Sequence, residues 1–308
     1  MIEFALDGLD GANPLAFLAA LGTLRTTDHI WPDAGARLRW ELTGAGWRTR
    51  LALDADLSAP DWLERMATHL SEPEPALSVA DDLTLPCTAW RGALLAARHG
   101  ADPQARASVD FLAALGSEAV QARVNGRPNG LMADTALRTM SGAGHQHFLG
   151  FMRELTRVTG AAHLESALLR AWAYEDDGPS LRWDPADDRR YALRWKEPSN
   201  DPIRTVRGAN RLAIEGLPLL PTAPIGAELE TTGFRRRKGE GLVWTWPIWT
   251  KQVGVDVVRS LLSLPALQTN RLERRLLAGM GVAEVYRSTR LTLGKYRNFS
   301  QAVPVAGA

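Results

Sequence analysis

Residues Asn13 to Leu24, NPLAFLAALGTL, constrain the fold more than any other stretch. Asn13 is a good N-cap and Pro14 suits the first helical position, so a helix begins here. Leu15, Leu18, Leu21 and Leu24 recur near helical spacing. Ala16, Ala19, Ala20 and Gly22 would let a neighbouring element approach closely. A helix of this composition is a buried core helix. The apolar content of 45% is ordinary for a globular chain, and 308 residues suffice for one large domain or two modest ones.

The other elements follow from period and punctuation. Ile2 to Leu6 reads as a first strand. Arg37 to Leu53 reads as a hairpin turning at Thr43 to Gly46, with Leu38, Trp40 and Leu42 on one face. Helices are expected over residues 61–70, 89–98, 104–115, from about 145, and over 161–174. Residues 72–86 read as loop and 124–129 as turn. Strands are expected at Leu181 to Asp184 and Arg189 to Trp195. A helix from Arg207 to Leu217 is stopped by Pro218, Pro221 and Pro224. Residues 228–250 read as two strands around a basic tip, Arg235 to Gly239, with Trp244 and Trp246 on one strand face, as core residues or else as base-stacking platforms. Helices over 256–264 and 268–278 and a last strand over 282–293 complete the chain. The expected class is α+β: mixed sheets with packed helices, an N-terminal strand-helix-hairpin and a basic C-terminal α/β part. The acidic turn Glu175 to Pro179 divides residues 1–178 from 179–308, unless the two parts form one continuous domain.

Several function classes are excluded by what is missing. One cysteine, Cys87, rules out disulfide scaffolds and cysteine-based zinc sites within the chain. The apolar N-terminal segment is broken by Asp7, Asp10 and Arg25, so it is neither a signal peptide nor a membrane span, and a reducing cytoplasm is the expected location. No GxSxG elbow, HExxH pair, Rossmann fingerprint, kinase set or HNH-like cluster occurs. A non-enzymatic role without cofactor is therefore expected.

Charge points elsewhere. The whole chain carries +1, but residues 1–100 carry −6, 101–200 carry −1 and 201–308 carry +8. Such asymmetry suggests either a polyanion contact in the C-terminal third or two halves that neutralise each other. Arg182, Trp183, Arg189, Arg190, Tyr191, Arg194, Trp195 and Lys196 alternate cations with flat rings, and Arg204, Arg207 and Arg211 follow. Alternating cations and rings hold phosphates and stack on bases, or else form a surface where arginines pair with Asp184, Asp187, Asp188 and Asp201. The candidate nucleic-acid contacts are Arg194, Lys196, Arg204, Arg207, Asn210, Arg211, Arg235, Arg236, Arg237, Lys238, Arg290, Lys295 and Arg297. Gly208 to Asn210 offers a place for close backbone approach.

His145 and His147 follow Ser141-Gly142-Ala143-Gly144 at the start of a helix, where free backbone N–H groups suit an anion. They join the candidate contacts. On a helix their spacing points them about 200° apart, so they share no metal there. At a frayed terminus they could, and a metal-dependent nuclease using both with Asp184 to Asp188 is the competing reading. A scaffold whose basic third meets an acidic protein partner is the other.

The run Asn13 to Leu24, followed by Trp31-Pro32, resembles the opening of a group of CRISPR-associated proteins. The later order is also similar: Trp183-Asp184-Pro185, a basic segment, then Asn210 to Pro221 ending at prolines. The nearest resemblance is to the large-subunit-like protein of type I-U/I-G effector systems. It covers under a third of the chain, and the segments around His145 and Arg235 to Lys238 depart from it. The resemblance implies a non-catalytic subunit of an RNA-guided DNA surveillance complex, with guide RNA, target DNA and other effector subunits as partners and no membrane.

Overall fold

The structure, a computed structural model, describes residues 1–99, 103–140, 147–187, 204–293 and 296–307. β1 (Ile2–Asp10) runs into α1 (Pro14–Ile30). The Asn13 side-chain oxygen accepts from the backbone N–H groups of Leu15 and Ala16 at 2.8 and 3.1 Å, so the expected cap forms. β2 (Arg37–Thr43) and β3 (Gly46–Leu53) make the expected hairpin, and β1 adds antiparallel to β3, giving the order β1-β3-β2. α2 (Ala59–Leu70), α3 (Cys87–Arg98) and α4 (Pro103–Leu115) follow. A second hairpin, β4 (Gly116–Val124) and β5 (Arg127–Asp134), turns at Asn125-Gly126, both with positive φ. The turn chemistry marks its tip, but the strands are mostly solvent-facing and lack a clean apolar alternation.

α5 (Phe148–Val158) and α6 (Ala161–Leu169) come next, α6 ending five residues before Tyr174 because Arg170 is already extended. β6 (Asp176–Asp177) pairs with β7 (Arg204–Thr205), and α7 (Arg207–Gly216) follows at once. β8 (Thr222–Ile225) and β9 (Glu228–Thr231) form a small hairpin. The main C-terminal sheet then assembles from β10 (Phe234–Arg237), β11 (Gly241–Trp249), β12 (Val282–Leu293) and β13 (Tyr296–Phe299) in that order. α8 (Val255–Leu262) and α9 (Arg274–Gly279) connect β11 to β12, and β14 (Val303–Pro304) pairs with β12. The architecture is α+β, with several small sheets around packed helices.

α1 is the centre. A Cβ on Gly22 would lie 1.7 Å from the Leu212 carbonyl oxygen, so α1 and α7 touch backbone to backbone, as the small residues of α1 allow. Phe17 projects between the two main sheets, 5.9 Å from Trp40 of β2 and 5.6 to 6.3 Å from Trp244, Trp246 and Trp249 of β11. Trp244 and Trp246 are thus core residues. One cluster of buried side chains extends from Phe4 to Val305 and crosses the acidic turn at 175–179.

Other local expectations change too: the helix read over 268–278 begins only at Arg274, and three strands occupy 228–250 where two were expected. Leu181 to Asp184 is irregular rather than a strand: Arg182 takes a positive φ, and the Asp184 carboxylate accepts from the Ala186 N–H in a side-chain turn before a short 3-10 turn at Pro185–Asp187. Arg235, Arg236 and Arg237 lie in β10, and the turn itself is Lys238 to Glu240. Arg189 to Trp195 lies outside the described residues. Among the described residues, no helix is long and apolar enough to cross a membrane.

Candidate nucleic-acid interface

The register of the C-terminal sheet gathers one set of cations. Arg236 lies opposite Leu242, Leu242 opposite Arg290, and Arg290 opposite Phe299. Residues directly opposite in antiparallel strands share a face, as do residues two apart. Arg297, opposite Thr292, therefore sits on the face of Arg290, and Arg236 on the face of Phe234 and Trp244. That face begins as tryptophan core against α1 and ends as arginine. The β10–β11 turn with exposed Lys238 lies at the same end.

Arg138, in the segment after β5, joins this end: its carbonyl accepts from Arg290 Nη2. Its own charge is answered by Asp134 and Asp82, and Thr84 accepts a further bond at 3.0 Å. Arg290 is answered differently. Burial, then the charges of Arg297, Arg138 and Arg236, push its guanidinium down to about 10, with Asp134 opposing. Its Nε is shut off from solvent and has no acceptor among the described residues. Arg236, Arg290 and Arg297 have no carboxylate partner among the described residues. A cluster of this kind is stabilised by an anion, because an incoming phosphate relieves both the desolvation and the repulsion.

The opposite face of the sheet is spent on structure. Arg237 is buried, and donates to Asn270 Oδ1 at 2.8 Å and the Gln268 carbonyl at 3.0 Å. Arg287 donates to the Thr269 carbonyl at 2.7 Å. Together they hold the loop before α9. Arg235 pairs with Glu230. The basic tip thus divides by strand alternation: Arg236 points one way, Arg235 and Arg237 the other.

The candidates near α7 are engaged within the chain, Arg204 from an exposed position and Asn210 and Arg211 from the core. Arg204 pairs with Asp177 at 3.3 Å and donates to the Glu175 carbonyl at 2.7 Å. Arg207 reaches His163 Nε2 at 2.9 Å and the Asp177 carbonyl at 3.0 Å. Asn210 is fully buried, accepting from the Leu181 N–H at 2.9 Å and donating to Thr205 Oγ1 at 3.0 Å. Arg211 is buried too, on Glu215 at 2.8 Å and the Leu70 carbonyl at 3.0 Å. Asn210 and Arg211 are corrected from contacts to core residues, because α7 is covered on nearly every side. Gly208 does provide close approach, but to α6: a Cβ there would meet the His163 carbonyl at 2.2 Å. Trp183 is likewise core, its indole N–H on the Leu137 carbonyl at 2.8 Å.

His147 precedes α5 and makes no capping bond. Asp184 accepts from Asn13 at 3.1 Å and Tyr174 at 3.0 Å, and burial raises its pKa. Asp187 accepts from Ser180. Asp184 ties the 180–187 segment to the N-cap of α1, and Asp187 braces the segment internally. Among the described residues, no three metal-ligating side chains come together. His145, Arg194, Lys196, Lys295 and Asp188 lie outside the described residues.

Arg138 is the member that sequence reading missed. Nothing in DTALRT distinguishes it, and only the fold carries it to the sheet. Comparison with known proteins finds no matching family model and no matching curated protein.

Proposed function

We propose that this chain is a non-catalytic nucleic-acid-binding subunit of a CRISPR-type, RNA-guided effector complex. In this reading the arginine end of the C-terminal sheet holds the phosphates of guide RNA or target DNA. One observation carries it: Arg236, Arg290 and Arg297 converge on one face without a carboxylate partner among the described residues. Phosphate contacts of this sort position a strand and leave sequence reading to base pairing. The resemblance of Asn13 to Leu24 and of Trp183-Asp184-Pro185 to the CRISPR-associated group supports the setting, and with it a cytoplasmic location and other effector subunits as partners. The engagement of Asp184 in holding Asn13 and Tyr174 favours this over the nuclease reading.

The test is a double charge reversal, Arg236→Glu with Arg297→Glu, in salt-titrated binding to single-stranded and duplex RNA and DNA. Affinity at low salt is expected to fall at least about tenfold, and the slope of log K against log salt to fall by about 2. Unchanged affinity and slope on every nucleic acid overturn the reading.

A further inference from the structure

The β4–β5 hairpin is anchored at its base and bare at its tip. Val120 and Met132 are buried, the Met132 N–H donates to the Leu85 carbonyl at 2.9 Å, and Asp134 at the end of β5 pairs with Arg138. Beyond this base the two strands leave the body of the protein. Every residue from Arg123 to Gly130 is exposed, so neither face of the ribbon is covered there. A two-stranded ribbon without a covered apolar face is marginal in water, and this one gains nothing internal from its length. The strand from Gln121 to Val124, at about 3.3 Å per residue, gives the arm a reach of roughly 13 Å.

The arm is cationic and its charge is not cancelled. No acid occurs between Glu118 and Asp134, and those two are used by Arg91, at 3.8 Å, and by Arg138. Arg123 donates to the Gly126 carbonyl at 3.1 Å, and neither it nor Arg127 has a carboxylate partner among the described residues. Register then distributes the two. Arg123 lies opposite Pro128, and Val124 opposite Arg127. Residues directly opposite share a face and neighbours in a strand take opposite faces, so each face of the tip carries one arginine and one apolar side chain. Val124 is 58% exposed, a valine held out in water at the end of a ribbon. A turn that merely closes a hairpin needs neither the valine nor the paired cations.

The arm springs from beside the arginine end of the C-terminal sheet, because the Arg138 that pairs with its base also accepts from Arg290 through its carbonyl. A two-stranded ribbon fits the major groove of B-form DNA, about 12 Å wide and about 8.5 Å deep, and is excluded from the deep, narrow major groove of duplex RNA. Entering tip first, a ribbon turns its two faces to the two phosphate walls, and here each face brings one arginine to its wall. The apolar side chains beside them then meet base edges, where thymine methyl groups are the apolar partners. We propose that the β4–β5 hairpin is an arm that enters the major groove of a DNA duplex, with Arg123 and Arg127 on opposite phosphate backbones and Val124 and Pro128 against the bases. The assignment rests on the reading of this chain as a nucleic-acid-binding subunit and adds duplex DNA as a ligand of its own element.

Fluorescence anisotropy on the intact chain tests this with a labelled DNA duplex, an RNA duplex of the same sequence and single-stranded DNA. Arg123→Glu with Arg127→Glu is expected to weaken duplex-DNA binding at least about tenfold and to leave the other two ligands within about twofold. Both side chains are exposed and without a carboxylate partner among the described residues, so the urea midpoint of this variant should not move. The Arg236→Glu, Arg297→Glu variant reads the sheet separately. Duplex affinity that depends on the arm pair and not on the sheet pair removes the sheet reading alone, and the reverse removes the arm alone. Dimethyl sulfate then reads the groove, since guanine N7 lies in the major groove. Bound wild type is expected to protect N7, and the arm variant to leave it reactive. Unchanged duplex affinity in the arm variant, an equal loss on all three ligands, or absence of N7 protection overturns the proposal.

Discussion

The two main sheets use arginine in opposite ways. In the N-terminal sheet Arg37 pairs with Asp54 at 2.6 Å, Arg39 with Glu3 at 2.9 Å, Arg48 with Asp10 at 3.2 Å, and Arg50 with Asp7 at 2.7 Å. In the C-terminal sheet Arg236, Arg290 and Arg297 share a face and have no carboxylate partner among the described residues. The cause is in the neighbouring strands. β1 and β2 carry Glu3, Asp7, Asp10 and Glu41 among their outward positions, beside the arginines of β3 and, for Glu3, across β3 from Arg39 of β2. β11 carries no acid at all, and the one acid of β12, Glu284, is used by Arg274 at 2.7 Å. Local net charge therefore becomes an interaction surface only where the adjoining strand offers nothing to cancel it.

The comparison breaks first at Arg211. It is the buried, paired extreme, and Arg211→Ala leaves Glu215 in the core with Arg25 alone. Truncating one partner of a buried pair costs about 3–5 kcal/mol, because the other charge stays desolvated. A urea unfolding midpoint should drop accordingly at unchanged slope. Arg290 is the half-buried, unpaired counterpart, and its removal should behave in the reverse sense. Arg290→Met deletes a desolvated cation repelled by Arg297, Arg138 and Arg236, at the loss of one bond to a carbonyl. Stability is expected to hold or rise, while nucleic-acid affinity falls. A loss of stability comparable to that of Arg211→Ala would show that Arg290 is structural, and would remove the strain that an incoming phosphate is argued to relieve.

How much of this was legible follows the same division. The cap at Asn13, the small residues of α1 and the burial of Trp244 and Trp246 are written in local pattern, and each forms as read. Arg236 and Arg290 could be named from charge, but their convergence depends on register across β10, β11 and β12, which no local pattern states. Asn210 and Arg211 misled for the converse reason. Asn and Arg in an amphipathic-looking helix suggest a wet face, yet α6, α1 and the end of α2 close over it.

The smallest effect belongs to the N-terminal sheet and sharpens the contrast. Arg39 holds Glu3 through Nε at 3.1 Å and Nη2 at 2.9 Å, and the Arg39 hydrogen bond keeps the Glu3 carboxyl below its ordinary value near 4.5. Both side chains are partly exposed, so Arg39→Ala should cost only about 0.2–1 kcal/mol. Because the folded-state pKa of Glu3 is lowered, the pair contributes fully above pH 4.5. The contribution fades as pH falls through the folded value. Unfolding curves of wild type and Arg39→Ala should therefore separate at neutral pH and converge in acid. Nucleic-acid affinity and its salt slope should be the same for both proteins across the neutral range. If Arg39→Ala weakens binding as much as the reversal at Arg236 and Arg297, pairing does not withdraw an arginine from the interface. The distinction between the two sheets would then carry no functional meaning.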